Sequence, residues 1–265
     1  MKSKPVSGTV ASLILFLFIS VSYSQNNASD VYWHIDPNVK TCSMVIDAAL
    51  TQAQWHRFVK QAGAIISFKS LASATTLGKM NYKIAIDYAS TPVDQHNLAW
   101  INTFTHPDEN CPLGDAITIP TIRASMGITN NMDIGGYWTT ALGANYGAVG
   151  GEFKYAFLQE TERLPAVAAR GSFSFLTGVT DFNFNIYSID LITSKKIAML
   201  TPYVGFRESL FIGTETTSKV DLEQERLSIL QGYAGVAYSY WMLGLAAEYN
   251  VSSVNTFAFA IGINL

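Results

Sequence analysis

Bulky apolar residues alternate with small or polar ones through most of this chain, the period of extended strands whose two faces meet different surroundings. In Lys79 to Ser90, Met80, Tyr82, Ile84, Ile86 and Tyr88 share one face, while Asn81, Lys83, Ala85 and Asp87 share the other. Tyr146 to Leu158 sets Val149, Phe153, Tyr155 and Phe157 against Glu152, Lys154 and Ala156, and Arg163 to Leu176 sets Val167, Ala169, Phe173 and Phe175 against Ala168, Arg170, Ser172 and Ser174. The last three segments, Leu230 to Tyr240, Leu243 to Asn250 and Thr256 to Leu265, repeat the scheme. Weaker strands are predicted at Ala116 to Thr129, Met132 to Gly143, Phe182 to Ile192 and Met199 to Leu210. In Phe182 to Ile192 the apolar phase slips between Ile186 and Ile189, which predicts a β-bulge. Pro120 and Pro202 cannot donate to a ladder, so each is expected near a strand end or a bulge.

The period differs before residue 79. Thr51-Gln52-Ala53-Gln54 has the spacing of a capping box, and Trp55, Phe58, Val59 and Ala62 follow at helical intervals, predicting a short helix over about 51–61. A short strand is expected at Ala64 to Lys69. Lys2 and Lys4, the apolar run Val10 to Val21 and the small residues Ser22 to Ser24 have the order of a cleaved secretory leader, residues 1–24. That run is shorter than the 18 to 20 residues, roughly, of a spanning helix. Residues 25–78 then form an N-terminal extension or plug, and residues 79–265 the strand domain.

Strand length and face composition choose the fold. A strand crossing the outer membrane needs about 9–11 residues, with apolar side chains toward lipid and small or polar ones toward the lumen. Charged residues are 14% of the chain against 12% aromatic, below the roughly 25% charge of soluble domains. The expected fold is all-β, an antiparallel transmembrane β-barrel of about ten strands with a helix-containing N-terminal plug. Twelve strands is the alternative, if Ala64 to Lys69 and an earlier segment join the wall. Counted back from the last strand, the long loops Phe211 to Arg226 and Thr91 to Gly114 both fall outside, with Asn130-Asn131, Gln159 to Glu162, Ser194 to Lys196 and Trp241 inside.

The lumen face carries Lys83, Arg123, Lys154, Arg170 and Arg207 against Asp87, Asp133, Glu152, Asp190 and Glu248, a near match that predicts paired charges. Arg170 and Asp190, on neighbouring strands, are expected to pair structurally. These groups either staple the barrel or line a polar pathway, and stapling is favoured because a narrow barrel fills its lumen with side chains. Cys42 and Cys111 lie beyond the leader, so a disulfide is expected in an oxidising compartment, the other reading being two free thiols. A Cys42–Cys111 bond would carry the N-terminal segment through or beside the barrel. Net charge is −3, which gives no reason to expect nucleic acid. His34, His56, His96 and His106 lack zinc spacing. A surface metal site of His96 and His106 with Asp94, Asp108 and Glu109 ranks below a solvated loop. Gly147 to Gly151 lacks the lysine of a phosphate loop and fits a strand needing close packing. No motif singles out a nucleophile, so no enzyme, metal or cofactor is expected.

The chain resembles a family of uncharacterised, predicted outer-membrane β-barrel proteins of Gram-negative bacteria. The resemblance rests on Leu50-Thr51-Gln52-Ala53-Gln54-Trp55 with Phe58, on Leu164 to Gly171, on Asp190 to Lys196, and on Leu200-Thr201-Pro202-Tyr203-Val204-Gly205. It implies location and architecture and carries no site residue. A remoter similarity of architecture is to long-chain fatty-acid transporters, whose N-terminal segment plugs the lumen. The expected function is passive or facilitated passage of a small or amphipathic solute. The alternative is a structural or surface-interaction barrel with a closed lumen, and a membrane-embedded hydrolase ranks third. Outer-membrane lipid and the barrel-assembly machinery are the other expected partners.

Overall fold

Each alternating segment forms a strand, and the strands close on themselves. The computed structural model describes residues 43–104, 116–140 and 145–265; the expected leader and both cysteines lie outside the described residues. Ten strands follow in order: β1 (Tyr82–Pro92), β2 (Ala116–Gly127), β3 (Met132–Thr140), β4 (Gly147–Leu158), β5 (Ala166–Thr177), β6 (Phe182–Ser194), β7 (Leu200–Glu215), β8 (Glu225–Tyr240), β9 (Leu243–Val251) and β10 (Thr256–Asn264). Each pairs antiparallel with its sequence neighbour, and β1 pairs with β10, Lys83 opposite Asn264 and Ser90 opposite Phe257. Because β1 meets β10 directly, the twelve-strand alternative has no place in the wall.

Alternation sorts the two faces. Ile86, Ile189, Phe206, Leu230 and Phe259 point outward and are exposed, whereas Ala156, Ala168 and Ala258 point inward and are fully buried. Aromatic and aliphatic side chains therefore clothe the cylinder, and small ones line it.

Helices α1 (Gln52–Ile66) and α2 (Leu98–Ile101) accompany the barrel. Thr51 caps α1 with a complete capping box, its hydroxyl accepting from Gln54 N while the Gln54 side chain accepts from Thr51 N. The helix lies in the end of the barrel that carries the long connections. Its buried face of Trp55, Phe58, Val59, Ala62 and Ile65 packs on Phe182, Phe184, Ile186 and Phe211 of the wall and on Trp100 and Phe104. Phe58 meets Trp100 and Phe182 edge-on at 5.2 and 5.6 Å.

Several expectations are corrected, and this helix is the usual reason. Ala64 to Lys69 is not a strand: α1 continues to Ile66 because Ala62, Gly63, Ala64 and Ile65 extend its buried face. Its end is tied off by Lys69, whose Nζ donates to the carbonyls of Ala64, Ile65 and Ser67 at 2.9, 2.9 and 3.1 Å. Nor does β6 bulge. Its register with β5 and β7 is unbroken, and Phe182, Phe184 and Ile186 point inward like Asp190 and Ile192. The apparent slip arises because the inner face is apolar where α1 covers it and polar below. Among the described pairs the register shift lies instead between Ala156 and Leu158. Much of the expected Phe211 to Arg226 loop is strand, since β7 and β8 run on to flank α1; a Cβ on Gly213 would come within 2.6 Å of Val59. Pro120 stands inside β2 without a bulge, one residue beyond the last β2–β3 pair, Thr121 with Thr139.

Candidate functional site

The lumen holds most of the buried polar groups, and a single run of chain passes down it. Below α1, residues 67–77 form a strap that leads to the turn at Gly78, whose φ of +84° suits a residue without a Cβ. Phe68 stacks on Tyr137 at 5.0 Å. Leu71 rests among Ala246, Ala258 and Ala260, and Ala74 among Ala156, Ala166, Ala168, Ile192, Tyr203 and Tyr233. Ala74 N donates to Ser194 Oγ at 3.1 Å, and Leu77 N donates to both carboxylate oxygens of Asp133 at 3.0 and 3.1 Å. Lys154 Nζ donates to the carbonyls of Ser73 and Thr75 at 3.3 and 2.7 Å.

Strand register explains why the charges meet. Asp133, Lys154, Arg170, Asp190, Arg207 and Gln231 are successive cross-strand partners on β3 to β8, so they form one lateral row on the inner face. Directly opposed residues in a sheet stand about 5 Å apart at Cβ, within reach of these side chains. Lys154 Nζ lies 3.0 Å from Asp133. Asp190 accepts from Arg170 Nη2, from Arg207 Nε and Nη2 at 3.0 Å each, and from the Tyr233 hydroxyl at 3.1 Å. Arg170 Nη1 lies 3.7 Å from Glu152. The Arg207 guanidinium also covers the Tyr233 ring at 5.1 Å.

The remaining predicted site residues share this face. Arg123 grips Asp87 with two nitrogens, at 2.7 and 3.0 Å. Glu248 accepts from the Tyr203 hydroxyl and the Asn250 amide, both at 3.0 Å, so hydroxyl and amide groups take the place expected for a cation. Lys83 makes no ion pair within 4 Å among the described residues. The expected Cys42–Cys111 pair and His34, His106, Asp108 and Glu109 lie outside the described residues. His96 N donates to Asp94 in a local turn, and among the described residues no cluster of His, Cys, Asp or Glu could hold a metal. Gly150, in the glycine-rich stretch, makes room for Tyr137, whose ring would lie 2.3 Å from an added Cβ.

Sequence reasoning gave residues 25–78 as an extension or plug without resolving the strap within it, and gave no role to Lys69 or to the hydroxyls of Tyr203 and Tyr233. The signal for the strap was available: Ser70 to Thr76 is a run of small residues, apart from Leu71, with neither helical nor strand period. The tyrosines carried a signal in their parity alone, Tyr233 in phase with Gln231 and Tyr203 with Arg207.

One wall differs from the rest. A small apolar recess of about 30 Å³ lies between α1 and the ends of β2 to β5, lined among others by Ile65, Trp100, Ile117, Ile119, Tyr146 and Leu176. Beneath it, past the Phe68–Tyr137 stack, Ser125, Gly135, Glu152 and Ser172 form a second register row. The hydroxyls of Ser125 and Ser172 and the Nε of Arg170 are buried and have no hydrogen-bond partner among the described residues.

Residues 41–265 match the model of DUF6588, a family of unknown function. No curated protein matches the chain. Among solved structures, the COG4313 outer membrane channel from Pseudomonas putida F1 is similar at 10% identity and TM-score 0.46, with 75% of this chain and 100% of that chain covered. Ail, the attachment invasion locus protein of Yersinia pestis, crystallised with the heparin analogue sucrose octasulfate, is similar at 12% identity and TM-score 0.33, covering 71% of this chain and 99% of that one. Neisserial surface protein A is similar at 13% identity and TM-score 0.30, covering 70% and 96%. All three likenesses are of fold.

Proposed function

Because this chain belongs to the family of unknown function DUF6588, its activity has to come from its own geometry, and we propose that it is an outer-membrane barrel, shut at rest by its strap, that passes a small amphipathic solute when the strap moves. The outward band of Ile, Leu, Phe and Tyr side chains suits lipid, and the short turns then face the periplasm. One observation carries the reading: where the strap rests, the wall presents alanines, Ala156, Ala166 and Ala168 under Ala74 and Ala246, Ala258 and Ala260 under Leu71, and a separate segment takes up the space they leave. A barrel filled for support alone could interlock large wall side chains there too, as it does in the charge row, and would not need the strap. The apolar recess and the hydroxyl and charged rows beneath it lie along the same side, an order that suits a solute with one apolar part and one polar end. Buried polar groups without partners cost about 1–3 kcal/mol each. Strap movement would offset part of its own cost by exposing Ser125, Ser172 and Arg170 to water or solute.

The full chain reconstituted in planar bilayers should be closed for most of the record, with brief discrete openings. Phe68→Ala, which removes the ring stacked on Tyr137, should raise the open fraction at least tenfold. Silence from both proteins over many insertions, with heat-modifiable gel mobility showing that both are folded, would overturn passage. It would favour the second reading, a barrel with a closed lumen that works through its outer surface, which draws support from the strap's running the depth of the lumen.

A further inference from the structure

Over residues 73–77 the strap is held largely through its main chain. Within residues 73–77, the carbonyls of Ser73 and Thr75 accept from Lys154, and the amides of Ala74 and Leu77 donate to Ser194 and Asp133. Three wall side chains thus serve four backbone groups in five residues. Lys154 spends its three protons on Asp133, Ser73 and Thr75, so the ion pair and the backbone contacts form one unit. The Ala74 side chain is fully buried against the alanines of β4 and β5, where added volume would overpack the contact.

From this we infer that Lys154, Asp133 and Ser194 form a peptide-binding site that reads a main chain bent at Ala74 and Thr75 and takes small side chains at 73 to 76, with residues 73–77 as its resident occupant. A free peptide of the same kind should enter when the strap is loosened. That second step rests on the strap's being movable, as proposed above, whereas the grip on the main chain does not. Of the side chains of residues 73 to 76 only Thr76 bonds the wall turns, donating to Asn130 O at 2.5 Å and accepting from Gln159 Nε2 at 3.2 Å, so a segment of Ser, Ala and Thr from elsewhere that keeps this hydroxyl has the same claim on the site.

Two measurements test this separately. In lipid nanodiscs, the full chain should protect the Ala74 and Leu77 amides from hydrogen exchange, read by mass spectrometry with residue-level fragmentation. Lys154→Met and Asp133→Asn should speed exchange across 73–77 at least tenfold while β6 to β9 stay protected. Should those variants fail to fold, Ser194→Ala removes a single bond and should speed Ala74 and spare Leu77. Wild-type exchange at these amides as fast as in an exposed turn would overturn the site. In bilayers, a synthetic peptide of residues 70–78 should shorten the openings of Phe68→Ala, and the same peptide N-methylated at the positions of Ala74 and Leu77 should not. Equal block by both peptides, or block by neither in a conducting barrel, would overturn main-chain recognition. If Phe68→Ala never conducts, passage fails and the exchange data alone decide the site.

Discussion

Replacing Asp190 by asparagine asks how dry the lumen is. Asp190 is 2% exposed and is shared by Arg170, Arg207 and Tyr233. Asparagine keeps the volume and removes the charge, so Arg207 loses its ion-pair partner and Arg170 keeps only Glu152 at 3.7 Å. Stranding a buried charge costs about 3–5 kcal/mol, whereas the same loss at a hydrated site costs about 1 kcal/mol or less. At about 1.4 kcal/mol per tenfold change, the folding equilibrium should fall by roughly two to three and a half powers of ten. Urea unfolding in lipid vesicles, followed by tryptophan fluorescence and gel mobility, measures it. Adding Arg207→Met removes the stranded cation, and the double variant should be more stable than Asp190→Asn alone. A loss below 1 kcal/mol in the single variant would refute the reasoning, because it would mean that water reaches the charge row despite the strap.

Two further outcomes follow from the packing. Gly63→Ala should gain about 1 kcal/mol of helix propensity but puts a Cβ 2.2 Å from the Phe211 ring. Overpacking costs about 1–3 kcal/mol, so a net loss is expected in the same unfolding assay, turning to a gain when Phe211→Leu accompanies it. Met44 pairs with Phe104, and Val45 N donates to Thr103 O; in the sequence Cys42 stands two residues before Met44 and Cys111 seven after Phe104. A Cys42–Cys111 disulfide is expected, and peptide mapping with and without reductant checks it; two alkylated thiols would refute it.

The barrel was readable because a period of two with bulky residues on one face is a strong constraint: slipping any strand by one position would turn its whole apolar set into the lumen. It misled where that assumption failed locally. Phe182, Phe184 and Phe211 point inward because α1 gives them an apolar partner, and periodicity along one strand cannot report a partner contributed from over a hundred residues away in the chain. The charged residues were recognisable from their face, but which cation meets which carboxylate depends on register across five strands. The capping box and the first turns of α1 were equally plain. Its last turn was not, because Ala64, Ile65 and Ile66 suit a strand as well as a helix. The strap left only a composition, since small residues held through their backbone impose no pattern on their side chains.

The pairing of β1 with β10 makes the wall seamless, yet α1 and the strap, residues 52–77, run from one mouth toward the other within it. A helix carrying Trp55 and Phe58 does not slip easily into a finished cylinder narrow enough to be filled by its own side chains and one strap. The order of assembly is therefore constrained: the leading segment has to lie in the trough of the curling sheet before its first and last edges zip together. That slit must stay open until its contents are in place.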